Sequence, residues 1–370
     1  MKLQTPENIL RIIPYPPGKP LDELEREYGI SDSIKLASNE NPWGPSPKAV
    51  QAITEMLTGL HRYPDGSSYY LTQALARWTG ADPEEIVLGN GSNEVIEFLI
   101  KAFVNPGDKV ITSHPSFLMY QKFVQVRGGE NTIIELRDMQ HDLATIAESV
   151  SEKTRLIFID NPNNPTGTLI SKEAFATFMD ALPETVIVVL DEAYVDFVAE
   201  EERIDILSYV HNSQNKPGLV SLRTFSKAFG LAGLRVGFGI MPQEIADLLH
   251  RVRQPFNINL PGQVGALAAL ADKEHYTKTL QETAQGLKWL SEQVGRLGCI
   301  PYPSHTNFFL IDVNGDATRL YEAMLYKGVI VRSMKAYGFP SFIRITIGTT
   351  AENIRFINAL KECLNELGYV

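Results

Sequence analysis

The chain predicts an α/β fold: a large domain on a mostly parallel, helix-flanked sheet, followed by a smaller α+β domain. Three observations carry this. Continuous apolar runs, among them RLIFID, VIVVLD and RVGFGIM, alternate with helical patterns up to about residue 270, as expected for strands buried on both faces. Beyond that point the texture changes to a helix, three shorter strand candidates and a closing helix. Polar residues stand just past the apolar runs, at Asn93, Asn164, Asp191 and Lys227, on the carboxyl edge where open parallel sheets bind ligands.

Taken in order, RIIPYPPGKPLDE is proline-rich and should be an extended N-terminal arm. SPKAVQAITEML has helical apolar spacing and opens at Ser-Pro, a helix start. EEIVLGNGSNEVIEFLIKAF reads as a strand, a glycine turn and an amphipathic helix capped near Ser92. Further strands are expected in GDKVITSHPSF, TRLIFID, TVIVVLD, GLVSLRT and RVGFGIM. ETAQGLKWLSEQVGRL is a helix, NFFLIDV, GVIVRS and FIRITIG are short strands, and AENIRFINALKECLNEL closes the chain as a helix. The expected division is an arm with part of the small domain over 1–45, a large domain over 46–270 and a small α+β domain over 271–370.

The totals narrow the function. A net charge of −10 over 370 residues disfavours nucleic acid, which needs a basic footprint. Small anionic ligands need only a local positive cluster. The two cysteines, Cys299 and Cys363, form no CxxC pair, so free thiols in a reducing cytoplasm are expected. There is no apolar core of a signal peptide and no run near the ~18–20 residues of a membrane span, so neither a membrane nor a nucleic acid is an expected partner.

Three stretches carry chemistry. GNGSNE has Gly89 and Gly91 but Glu94 at the third glycine position of a dinucleotide fingerprint. It reads as a tight turn or as an anion site using helix N–H groups and the Ser92 hydroxyl. In LDEAY, Asp191 ends a strongly apolar strand. It is either a helix N-cap or the partner of a buried cation, because a carboxylate there is costly unpaired. No metal is expected, since the seven histidines form no HxxxH or HxH pair. In SLRTFSKAFGLAGLRVG, Lys227 lies among small residues with Thr224 before it and Arg235 after it. That set suits a phosphate and a carbonyl held together, the lysine forming a Schiff base if its neutral amine is favoured. The bland reading is a solvated lysine.

NPNNPTG, then DEAY, then SLRTFSKAFGLAGLRVG resembles the signature order of fold-type I, class II pyridoxal-phosphate aminotransferases. With KLASNENPWGPSPKA, RYPDG, GNGSNEVIEFL, RQPFNINLPGQ, VRSMKAYG and FIRITIGTTAEN, the chain resembles the histidinol-phosphate aminotransferase family from about Tyr15 to Asn353. The resemblance implies a seven-stranded-type sheet and pyridoxal 5′-phosphate as cofactor. Lys227 would form the Schiff base and move the proton. Asp191 would pair with the pyridine nitrogen, and Tyr194 and Asn164 would bond the 3′ oxygen. Phe117 would stack on the ring. Ser92, Asn93, Thr224, Ser226 and Arg235 would hold the phosphate, joined by Tyr63 from the other subunit of a homodimer.

On the substrate side the resemblance implies Arg344, Arg332, Tyr15 and Asn41. The two arginines would bind the phosphate of histidinol phosphate and the carboxylates of glutamate or 2-oxoglutarate. Trp43, where leucine is expected, would add aromatic surface near the substrate entrance. The rival activities on the same fold are an aromatic amino-acid aminotransferase and a threonine-phosphate decarboxylase. A non-catalytic sensor and an NAD-binding oxidoreductase are the readings from other classes.

Overall fold

The computed structural model describes residues 4–14, 26, 29–30, 32–212 and 216–369. Tyr15 and most of the proline-rich arm lie outside the described residues. A short helix, Glu7–Leu10, precedes that arm.

Strand β1 (Ile34–Lys35) comes first in the chain. The large sheet follows with β2 (Ile86–Asn90), β3 (Lys109–His114), β4 (Glu130–Glu135), β5 (Thr154–Asp160), β6 (Ile187–Asp191), β7 (Gly218–Thr224) and β8 (Val236–Ile240). Its order is β2-β8-β7-β6-β5-β3-β4. The run β7-β6-β5-β3-β4 is parallel, and β8 lies antiparallel between β7 and β2. Alternate residues of β5 enter different cores: Leu156 and Phe158 pack on one side, Ile157 and Ile159 on the other. Burial on both faces is why these strands read as unbroken apolar runs. At ~1.5–3 kcal/mol for each fully buried aliphatic side chain, the two cores hold the strand ends in fixed register.

The smaller sheet contains β9 (Ile300–Pro301), β10 (Phe308–Asp312), β12 (Arg332–Ser333) and β13 (Phe342–Thr346), in the order β12-β13-β10-β9. Its core includes residues of helices Lys273–Arg296, Ala317–Tyr326 and Thr350–Leu367. Strand β11 (Val329–Ile330) pairs in parallel with β1, tying the end of the N-terminal segment to this smaller body.

Three local readings change. Strand β4 was not singled out, because at the sheet edge it is partly exposed and reads ENTIIE. GVIVRS is two strands, β11 and β12, serving different sheets. The helix after β2 is capped by Gly91 at φ 78°, with Ser92 as its first residue, so the hydroxyl lies one position further inside than expected. Both cysteines are buried and free. Among the described residues no helix is long and apolar enough to cross a membrane.

Candidate active site

The carboxyl ends of β2, β5, β6 and β7 meet at one edge of the large sheet, and the small sheet stands over it. Between them lies a cavity of about 290 Å³. Asp191 is the last residue of β6 and Thr224 the last of β7. Ser226 and Lys227 follow directly, and Arg235 immediately precedes the antiparallel β8, so all reach the same edge. Ser92 and Asn93 begin the helix after β2, and Asn164 sits in the loop after β5. Phe117 lines the cavity from the loop after β3.

Lys227 is partly buried, its Nζ donating to the Ser38 carbonyl at 3.3 Å and lying 5.6 Å from the centre of the Tyr194 ring. Burial, then the nearby Arg344 charge, lowers its pKa to about 8; Glu40 pulls upward, Arg235 downward, and Asp191 upward least of all. Asp191 accepts from the Tyr120 hydroxyl at 2.7 Å and from the Ala193 N–H at 3.1 Å. No cation makes an ion pair with it among the described residues. Burial therefore pushes its carboxyl up to about 6. Tyr194 is held by Asn39, whose Nδ2 donates to its hydroxyl at 2.9 Å. Burial raises this phenol to about 12, with Arg344 and Asn39 opposing.

One end of the cavity is shaped for an anion. The Thr224 and Ser226 hydroxyls lie 2.9 Å apart, beside the N-terminus of helix Ser92–Phe103. Arg235, itself in the left-handed region at φ 57°, packs over Gly91, where a Cβ would come within 2.5 Å of its guanidinium. Gly237 is equally constrained: a Cβ there would lie 2.2 Å from the Ser92 backbone nitrogen. Gly237→Ala must force β8 away from this turn, at about 1–3 kcal/mol by overpacking. The expected result is a lower melting temperature together with weakened binding of a phosphate-bearing ligand. An unchanged affinity would show that the turn is not part of the anion cup.

The opposite wall comes from the small sheet. Arg332 and Arg344 are directly opposed in register across β12 and β13, and both line the cavity. Arg344 is 7% exposed. Its Nη1 donates to Asn164 Oδ1 at 2.5 Å and its Nη2 to the Ala37 carbonyl at 2.9 Å, with the guanidinium 5.1 Å from the Phe308 ring centre. The split of GVIVRS into two strands is what brings Arg332 to β13.

The donor set suits pyridoxal phosphate: an anion cup for the phosphate, an amine of depressed pKa for the aldehyde, a buried carboxylate awaiting a cationic nitrogen, and an aromatic side chain for the ring. Tyr63 and Asn41 do not line the cavity. Tyr63 is 83% exposed and stacks on Phe256 at 4.9 Å. Asn41 Nδ2 donates to the Ala228 carbonyl at 3.0 Å, bracing the backbone beside Lys227. Trp43 does not stand at this cavity; it lines a separate groove with Trp289 and Gly286, because the chain turns away after Asn41.

Sequence reasoning missed Tyr120, Asn39, Asp160 and Tyr337. Tyr120 is three residues beyond Phe117, on the first turn of the helix that follows it, and the two rings meet edge-on at 5.4 Å. Asp160 ends β5 as Asp191 ends β6, and the two are register partners. Asn39 lies in KLASNENPWGPSPKA and Tyr337 in VRSMKAYG, but neither stands out within its motif, because each reaches the site through the small body.

A helix-flanked seven-stranded sheet with a lysine, a carboxylate and an anion cup at its carboxyl edge is the site of a lysine-bound pyridoxal-phosphate enzyme, and the family model for aminotransferase class I and II, which matches residues 31–360, makes the class aminotransferase. The chain is 65% identical, over all of its length and 98% of the other, to a histidinol-phosphate aminotransferase of Desulfotalea psychrophila. It is 45% identical, over 97% of its length and 92% of the other, to one from Moorella thermoacetica. The crystal structure of histidinol-phosphate aminotransferase from Sinorhizobium meliloti in complex with pyridoxal-5′-phosphate superposes with a TM-score of 0.91, at 28% identity, covering 99% of both chains. The chain belongs to the histidinol-phosphate aminotransferase family.

Proposed function

We infer that this protein is a pyridoxal-phosphate-dependent aminotransferase that interconverts histidinol phosphate and 2-oxoglutarate with imidazole-acetol phosphate and glutamate, by a ping-pong route. The observation that carries the substrate reading is the opposed pair Arg332 and Arg344 above Lys227. Two guanidinium forks suit both a phosphate dianion and the carboxylates of glutamate.

Ser92, Asn93, Thr224, Ser226 and Arg235 would hold the cofactor phosphate. Phe117 would stack on the ring, Asp191 would pair with the pyridine nitrogen, and Tyr194 and Asn164 would bond the 3′ oxygen. Bound pyridoxal phosphate supplies an electron sink for the carbanion left when the substrate Cα–H bond breaks. Lys227 Nζ would hold the cofactor through its aldehyde carbon and would take the substrate Cα proton. Arg344, with Arg332 and with Tyr15 from the N-terminal arm, would orient the substrate anion, while Asn41 braces the backbone beside Lys227. Residues 46–270 form the cofactor domain, and residues 271–370 with part of 1–45 carry the anion clamp.

The proposed assembly is a homodimer with Tyr63 serving the cofactor phosphate of the other subunit. Its exposure, clear of its own cavity, supports that role. A cytoplasmic location is supported by two free, buried cysteines.

The attachment step has a defined pH dependence. Only the neutral amine attacks an aldehyde, and lowering the pKa from 10.5 to about 8 enlarges the neutral fraction throughout the range below 10.5. Attachment of the cofactor to the apo protein should quicken about tenfold per pH unit below 8 and then level off. A rate still climbing through 10.5 would contradict the depressed pKa.

The activity itself is tested by comparing kcat/KM for histidinol phosphate and phenylalanine, since specificity is that ratio. A ratio above about 10² is expected, because phenylalanine leaves the phosphate interactions unmade. A preference for phenylalanine would overturn the substrate assignment.

A further inference from the structure

Asp160 has no part in the roles above, yet it is a carboxylate 4% exposed at the cavity, beside Asp191 in register. A buried carboxylate is tolerated only when its oxygens are satisfied, and here they are divided. Oδ1 accepts from the Ser116 hydroxyl at 2.7 Å and from Asn163 Nδ2 at 3.1 Å. His141 Nε2 approaches the same oxygen at 3.1 Å. The imidazole, with a side chain 1% exposed, has its Nδ1 2.7 Å from the Ser113 hydroxyl and its Nε2 3.1 Å from the Asp160 carbonyl. The two Asp160 oxygens, each at 3.1 Å, lie nearer to Nε2 than the Asn163 amide nitrogen at 3.4 Å, so that ring nitrogen carries the proton. Three side chains therefore fasten Oδ1. Oδ2 takes the Asn164 N–H at 2.8 Å, and the Asn164 side chain receives Arg344.

We propose that Asp160, clamped by His141, is a positioning residue for the reaction: it fixes Asn164, and through Asn164 the substrate-binding Arg344. The proposal rests on the function inferred above. Only an acceptor-only group meets all these donors. An amide in its place would turn an NH₂ toward Asn163, His141 or the Asn164 N–H.

The test is a double-mutant cycle on the full-length holoenzyme with Asp160→Asn and Asn164→Ala. Asp160→Asn alone should lower kcat/KM for histidinol phosphate about 10–100-fold, the scale of a small misplacement of a binding group. It should also shift the pH midpoint of the bound cofactor's visible band in the same direction as Asn164→Ala. In the Asn164→Ala background the same change should cost less than about threefold, since coupled sites are not additive. Additive losses, or a lower melting temperature with kcat/KM and the spectral midpoint unmoved, would overturn the proposal. If Asp160→Asn does not fold, His141→Gln is read by the same criteria, because it loosens the clamp and leaves the carboxylate. A wild-type enzyme that fails to transaminate histidinol phosphate would refute the functional reading instead.

Discussion

Lys227→Ala is expected to abolish transamination, by more than about 10⁴-fold, because it removes both the covalent attachment and the proton-transfer group. Borohydride reduction of the wild-type holoenzyme should leave the cofactor's mass on the peptide that contains Lys227, and the variant should carry none. The loss should not come from unfolding. The folded lysine has a lowered pKa, so the unfolded chain binds the proton more tightly. Burial of the charged amine therefore opposes folding in full below about pH 8, and the penalty fades as pH rises from 8 to 10.5. The apo variant should accordingly be at least as heat-stable as the apo wild type at neutral pH. A variant that keeps wild-type turnover would remove Lys227 from the mechanism.

The second large effect belongs to Arg344. Its guanidinium is buried, bridges Asn164 and the Ala37 carbonyl, and faces Arg332 across the strand pair. Truncating one partner of a buried charge-assisted contact costs about 2–5 kcal/mol. Arg344→Ala should therefore lower kcat/KM by roughly 30- to 5,000-fold, and for both substrates, because one arginine serves both half-reactions. Arg344→Lys should recover only part, since it restores charge without the planar fork. Cofactor attachment should survive, as the anion cup lies on the other side of the cavity. Its pH profile should move upward, because Arg344 helps to hold the Lys227 pKa down. Loss confined to one substrate would divide the roles of the two arginines differently.

The fold was legible wherever burial on both faces made a strand continuously apolar, as in the LIFI of β5 and the IVVL of β6. It was not legible in β4, whose edge position leaves polar residues along it, nor in the break between β11 and β12, where an unbroken apolar pattern serves two sheets. The cofactor side of the site was legible because Asp191, Thr224 and Lys227 sit at or just beyond strand ends, and parallel strands bring their carboxyl ends together. Its supporting layer was not. Tyr120, Asn39 and His141 meet their partners across 71, 155 and 19 residues of chain, and no local pattern records such contacts. Trp43 was misplaced for the same reason: its neighbours in sequence line the cavity while its side chain lies in another groove.

The most direct measurement is a single half-reaction. The purified holoenzyme is mixed with histidinol phosphate alone, and the visible absorbance of its lysine-bound cofactor is followed. Bleaching of the band in proportion to enzyme, with release of one equivalent of imidazole-acetol phosphate and recovery on adding 2-oxoglutarate, is the predicted result. A band that stays unchanged with histidinol phosphate, in an enzyme that glutamate bleaches, would contradict the assignment of the substrate.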